Sequence, residues 1–146
     1  MYKKIINYGS HYIDSEDIKS VIKTLKSNYI TQGPIVENFE FDLKKYFKSK
    51  YAVALSNGTS ALYLAIKALN LKEDSFIATT PLTFISTASS ILMNNFKPIF
   101  VDINEETLNL DPNMLEYKIK KNPKIRAIIA VDFGDYPCDW EALKFL

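Results

Sequence analysis

A phosphate ester is gripped most simply where a glycine-bearing turn runs into a helix. The first amides of a helix have no internal partner, and its N-terminus carries about half a positive charge. Ser56-Asn57-Gly58-Thr59-Ser60 has this form and leads directly into a helical Ala61-Leu62 segment. Gly58 lets an anion come close to the backbone, and Thr59 and Ser60 add hydroxyl donors. The same residues also suit a plain turn with a Ser/Thr cap, so local chemistry leaves both readings open. The segment is not a P-loop, because the Gly-Lys-Ser/Thr ending is missing. It is not a dinucleotide fingerprint either, because the repeated glycines are missing.

Two further stretches could contribute to such a site. In Thr79-Thr80-Pro81-Leu82-Thr83-Phe84, Pro81 stiffens a strand exit and Thr83 is expected to cap the next helix, with Phe84 in its first turn. Phe84 could stack on a planar ring, or it could be an ordinary core residue, the commoner fate of a lone Phe. In Asp132-Phe133-Gly134-Asp135-Tyr136-Pro137-Cys138, Asp132 falls at a strand end, where a carboxylate serves a ligand or caps a loop. Asp102 also ends a strand, but the polar Asn104-Glu105-Glu106 that follows reads as a solvated turn. His11 is the only histidine and has no Cys or carboxylate cluster at ligand spacing, so no metal site is expected. Cys138 is the only cysteine, expected as a buried reduced thiol. It excludes an internal disulfide and fits a reducing, cytoplasmic setting.

The elements that position these loops follow from hydrophobic period. Asp14 precedes Ile18, Val21, Ile22 and Leu25 at helical spacing, with Glu16 and Asp17 at the positive end of the dipole. That helix is expected to fade near Ser27-Asn28, with a turn at Gly33-Pro34. Val36, Phe39, Leu43 and Phe47 then mark a second helix. Beyond it the period changes. Short, nearly continuous apolar runs at 51–55, 75–79, 98–101 and 127–131 read as strands buried on both faces. Between them lie helical segments at 61–69, 83–94 and 112–121, the last with Asp111 as cap and Pro112 at its first position. Alternating strands and helices predict an α/β fold, with a mostly parallel sheet between helices in three layers and right-handed crossovers.

Composition sets the frame. The chain has 146 residues, 47% of them hydrophobic and 24% charged, which reads as globular. Its net charge of +1 gives no reason to expect a nucleic-acid or anionic-membrane partner. No apolar run approaches the roughly 20 residues of a membrane span. Met1–Asn7 carries lysines with no long apolar run after them, so no signal peptide is expected there.

Taken together, these motifs resemble the DegT/DnrJ/StrS family of sugar-nucleotide aminotransferases, fold-type I enzymes that use pyridoxal 5'-phosphate. The resemblance is carried by Ile13-Asp14-Ser15-Glu16-Asp17-Ile18, Ile30-Thr31-Gln32-Gly33-Pro34 and Ala54-Leu55-Ser56-Asn57-Gly58-Thr59-Ser60-Ala61-Leu62. It continues through Thr80-Pro81-Leu82-Thr83-Phe84-Ile85-Ser86-Thr87-Ala88 and Pro98-Ile99-Phe100-Val101-Asp102-Ile103. It implies that residues 1–50 form a helical segment with an active-site loop. Residues 51–146 would then be the N-terminal part of the fold-type I large domain, an incomplete cofactor-binding unit. It implies that Gly58, Thr59 and Ser60 hold the cofactor phosphate and that Phe84 lies against the pyridine ring. Thr31, Gln32, Gly33 and Asp132 would face the substrate.

Asp132 departs from the family's commoner histidine. Val131-Asp132-Phe133 looks more like the branch that aminates 4-keto-6-deoxy UDP-sugars on the way to pseudaminic acid. The implied partners are a nucleotide sugar, glutamate as amino donor, and a second copy in a homodimer. No lysine of the chain stands in the family's lysine motif, so no catalytic residue is assigned and the fragment is expected to be inactive alone and marginally folded. A non-catalytic module for phosphate-bearing ligands, or one half of a split enzyme, fits the same residues.

Overall fold

The computed structural model describes residues 9–146, so the reading of Met1–Asn7 lies outside the described residues. Contacts divide the chain into two units, Met1–Ala54 and Leu55–Leu146.

In the first unit, the Asp14 carboxylate accepts from the amides of Glu16 at 2.7 Å and Asp17 at 3.1 Å, while the Asp17 carboxylate accepts from the Asp14 amide at 3.0 Å. This reciprocal capping box, worth about 1 kcal/mol, opens α1 (Ser15–Leu25). The helix stops a turn's fraction earlier than its pattern suggests. The Ser27 hydroxyl donates to the carbonyls of Thr24 and Tyr29, at 2.7 and 2.9 Å, and folds the chain away. Pro34 then starts α2 (Pro34–Phe47), where a missing N–H costs nothing. Neither helix buries a residue.

The run 51–55 was expected as a strand and is not one. An extended segment becomes a strand only where a neighbour supplies the ladder, and among the described residues this one has no such partner. Tyr51 and Val53 stand 73% and 71% exposed, and the Ala54 amide donates instead to the Glu40 carboxylate at 2.8 Å.

The second unit runs α3 (Gly58–Ala68), β1 (Phe76–Thr79), α4 (Ile85–Met93), β2 (Lys97–Phe100), α5 (Pro112–Lys121) and β3 (Ile125–Ile129). A 3₁₀ turn (Phe133–Asp135) and α6 (Trp140–Lys144) follow. The strands form one parallel sheet in the order β2-β1-β3. The chain leaves β1 for one neighbour and then crosses back to the other, which puts the two crossover helices, α4 and α5, on opposite faces. Side-chain alternation along β1 follows suit. Ile77 packs with Ile66 of α3 and Ile91 of α4 on one face. Ala78 packs with Val101, Leu115 of α5, Ile125, Cys138 and Leu143 of α6 on the other. Helix, sheet and helix make the expected three layers. β3 begins two residues ahead of the apolar run because Arg126, which interrupts the pattern, is exposed on an edge strand. The closing helix α6 was not expected, although Asp139 caps it by accepting from the Ala142 amide at 2.9 Å.

Candidate functional site

The turn into α3 is capped by Asn57. Its carboxamide oxygen accepts from the Ser60 amide at 2.8 Å, and its carbonyl accepts from the Ala61 amide at 3.2 Å. Capping therefore explains Ser60 and Ala61 and goes no further. The amides of Gly58 and Thr59 have no acceptor among the described residues. A Cβ added to Gly58 would meet nothing within 4 Å, so the space in front of these amides is open. The Thr59 and Ser60 side chains are half-buried, and their hydroxyls have no hydrogen-bond partner among the described residues.

Phe84 is not a core residue. It is 75% exposed, and it is itself the N-cap of α4, with extended backbone. Thr83 does not cap the helix as expected, because its hydroxyl is engaged with that of Thr87 at 2.8 Å. An N-cap sits outside the helix, which holds the Phe84 ring off the packed face. Gly58, Thr59 and Phe84 come together along one open groove of about 570 Å³, with Ala61, Leu62, Ala65 and Ser86 completing its lining. A second cavity, of about 650 Å³, lies at the opposite ends of α3 and α4, around Tyr63, Lys67 and Asn94.

Asp132 was expected at a strand end but lies three residues past β3, at the N-cap of the 3₁₀ turn on the loop that leaves the sheet's carboxyl edge, and it does not line the groove. One of its carboxylate oxygens accepts from the Cys138 amide at 2.8 Å, and that hydrogen bond holds its pKa below the usual carboxylate range. Burial, with the neighbouring Asp132 carboxylate, pushes the Cys138 thiol up to about 11, and its Sγ donates to the Val131 carbonyl. Asn109, which the sequence pattern did not single out, fastens the same loop. Only 3% exposed, it donates to the Tyr136 carbonyl at 2.9 Å and accepts from the Phe133 amide at 2.8 Å. Thr31, Gln32 and Gly33 form the α1–α2 loop of the first unit, with Gln32 at a φ of 43°. Among the described residues no group of three His, Cys, Asp or Glu is placed to hold a metal, and no helix is long and apolar enough to cross a membrane.

A parallel sheet with free amides at a helix N-terminus, adjacent hydroxyls and an exposed aromatic ring near its carboxyl edge suits a phosphate ester carrying a flat ring. The chain belongs to the DegT/DnrJ/EryC1/StrS aminotransferase family, whose model matches residues 11–146. Members of this family depend on pyridoxal phosphate.

The chain is 42% identical over 143 residues to the UDP-4-amino-4,6-dideoxy-N-acetyl-beta-L-altrosamine transaminase of Campylobacter jejuni, covering 97% of this chain and 38% of that protein. It superposes on Helicobacter pylori PseC, an aminotransferase of pseudoaminic acid biosynthesis, with a TM-score of 0.89 at 30% identity, covering 97% and 38%. The sugar aminotransferase Spr1654 of Streptococcus pneumoniae, in its PLP form, gives 0.88 at 28% identity, covering 96% and 35%. The chain thus spans between 35% and 38% of the length of these relatives.

Proposed function

We propose that the chain is the cofactor-gripping front part of an aminotransferase acting on a 4-keto-6-deoxy nucleotide sugar, with glutamate as amino donor and a homodimer as the working assembly in a cytoplasmic setting. The observation that carries this reading is the meeting of the unpartnered Gly58 and Thr59 amides with the exposed Phe84 ring in one groove. In this reading the amides and the Thr59 and Ser60 hydroxyls bind the phosphate of pyridoxal 5'-phosphate. Phe84 covers one face of its ring. Asp132 and the Thr31-Gln32-Gly33 loop serve the sugar substrate. Once bound, the cofactor supplies an electron sink for the carbon that exchanges its amine. The chain's own residues bind it, orient it and shield one face from water. The branch is supported by Val131-Asp132-Phe133 and by the C. jejuni relative.

Among the described residues no lysine lines the groove. The free Gly58 and Thr59 amides would accept any phosphate, which favours a second reading, a module that holds phosphate-bearing ligands without catalysis. Calorimetry with the 146-residue chain separates the two. The first predicts that pyridoxal 5'-phosphate binds more tightly than inorganic phosphate and more tightly than pyridoxal. Equal affinity for any phosphate supports the second. Absence of phosphate binding removes both.

A further inference from the structure

A second helix opens on the same groove. α4 begins at Ile85, its N-cap Phe84 makes no side-chain capping bond, and the amides of Ile85 and Ser86 have no acceptor among the described residues. Ser86 lines the groove yet is only 8% exposed. Several hydroxyls of the β1–α4 segment are engaged. Thr79 donates to the Ile129 carbonyl at 2.9 Å, Thr83 and Thr87 pair at 2.8 Å, and Ser90 donates to the Thr87 carbonyl at 3.1 Å. The Ser86 hydroxyl has no partner among the described residues. Among those residues no buried side-chain polar atom is both sealed from solvent and unpartnered. The unpartnered Ser86 hydroxyl therefore keeps some exposure, and Ser86 is one of the residues lining the groove. In a residue that is nine-tenths buried an unpartnered hydroxyl is partly desolvated, so a ligand oxygen that reaches it gains a bond that water does not fully match.

We infer that Ser86 is a ligand-binding residue whose hydroxyl donates to an oxygen on the rim of the ligand's planar ring, while the phosphate is held across the groove at Gly58 and Thr59. This rests on the reading of the groove as a pyridoxal phosphate site and adds a contact to it. The division of labour follows from the chain. Ser86 lies two residues after Phe84, the platform for the ring, whereas α3 supplies its own amides and hydroxyls for the phosphate.

The test is Ser86→Ala in the 146-residue chain, a change that leaves no sizeable void and favours the helix. Binding is measured by calorimetry with two probes, pyridoxal 5'-phosphate and inorganic phosphate, alongside a thermal melt. The expected result is about tenfold weaker pyridoxal phosphate binding, the loss of one hydrogen bond to a charged or strongly polar oxygen, with inorganic phosphate unchanged and the melt retained. Unchanged pyridoxal phosphate binding overturns the assignment. So does an equal loss for both probes, which would put the hydroxyl on the phosphate or on the fold. If the unsubstituted chain binds neither probe, the reading of the groove falls, and this assignment with it. If that chain binds pyridoxal phosphate and only the Ser86 effect is missing, the groove stands without this contact.

Discussion

Substituting Gly58 with alanine separates binding from folding. In a helix every Cα–Cβ bond tilts toward the N-terminus, so a Cβ at the first position of α3 projects into the space ahead of the free amides. That space is empty of protein, since nothing lies within 4 Å of such a Cβ. Gly58 is not among the positive-φ glycines, so alanine meets no backbone strain. The fold should therefore be unharmed or gain up to about 1 kcal/mol, the usual advantage of Ala over Gly in a helix. Binding should move the other way. The methyl holds an anion off the Gly58 and Thr59 amides, and a hydrogen bond to a charged group is worth about 1.5–3 kcal/mol, so roughly 10- to 100-fold in affinity is at stake. Calorimetry with pyridoxal 5'-phosphate and with inorganic phosphate, paired with a thermal melt of the same sample, reads both effects. Full affinity in a folded Gly58→Ala chain would refute the idea that this turn holds a phosphate.

Other outcomes follow from single residues. Asn109→Ala removes both bonds that fasten the 3₁₀ turn and strands the Phe133 amide and the Tyr136 carbonyl. It should cost about 2–4 kcal/mol in urea unfolding, and a cost below about 0.5 would show that the loop is held by other means. Gly33→Ala drives a Cβ to 2.8 Å from the Tyr29 Cβ, and overpacking of this kind costs about 1–3 kcal/mol. Its effect should appear as faster amide exchange across the α1–α2 loop, with unit 2 unchanged. The native Cys138 thiol titrates near 11 against a reference of 9.0, so the folded chain holds more protons between those values. Stability should therefore be level below about pH 9 and fall as pH rises toward 11. Cys138→Ala should flatten that fall in urea titrations at pH 8 and 10.5, and an unchanged slope would place its cause elsewhere.

Period and punctuation made most of the second unit legible. The run at 75–79 is apolar on both faces because β1 is the central strand with a helix layer on each side. Asp14, Asp111 and Pro112 are local signals acting within one turn, and all fall where the helices start. What sequence did not reveal depended on non-local partners. The run at 51–55 has strand composition but no ladder partner among the described residues, and composition does not report a neighbour. Asn109 reads as one polar residue among many in Asn104–Asn109. Its importance comes from residues 24 and 27 positions further on. Asn57 and Asp139 are cap residues by type, the first standing next to Thr59 and Ser60, which suit a cap equally well in sequence.

Phe84 shows how a one-residue boundary decides a role. Inside the first turn of α4 its side chain would lie over the helix and compete for the layer that Ile91 and Ile66 fill. As N-cap it keeps an extended backbone, leaves that layer to Ile91, and stands 75% exposed beside the free amides of α3. The shift is set by Thr83, whose hydroxyl pairs with Thr87 instead of capping. The hydrogen bond that denies α4 a side-chain cap thus helps leave its first amides open, and places an aromatic ring where a flat ligand can meet it. Two helices that start at one groove with uncapped amides direct the positive ends of both dipoles into it, which favours an anionic ligand before any side chain contributes.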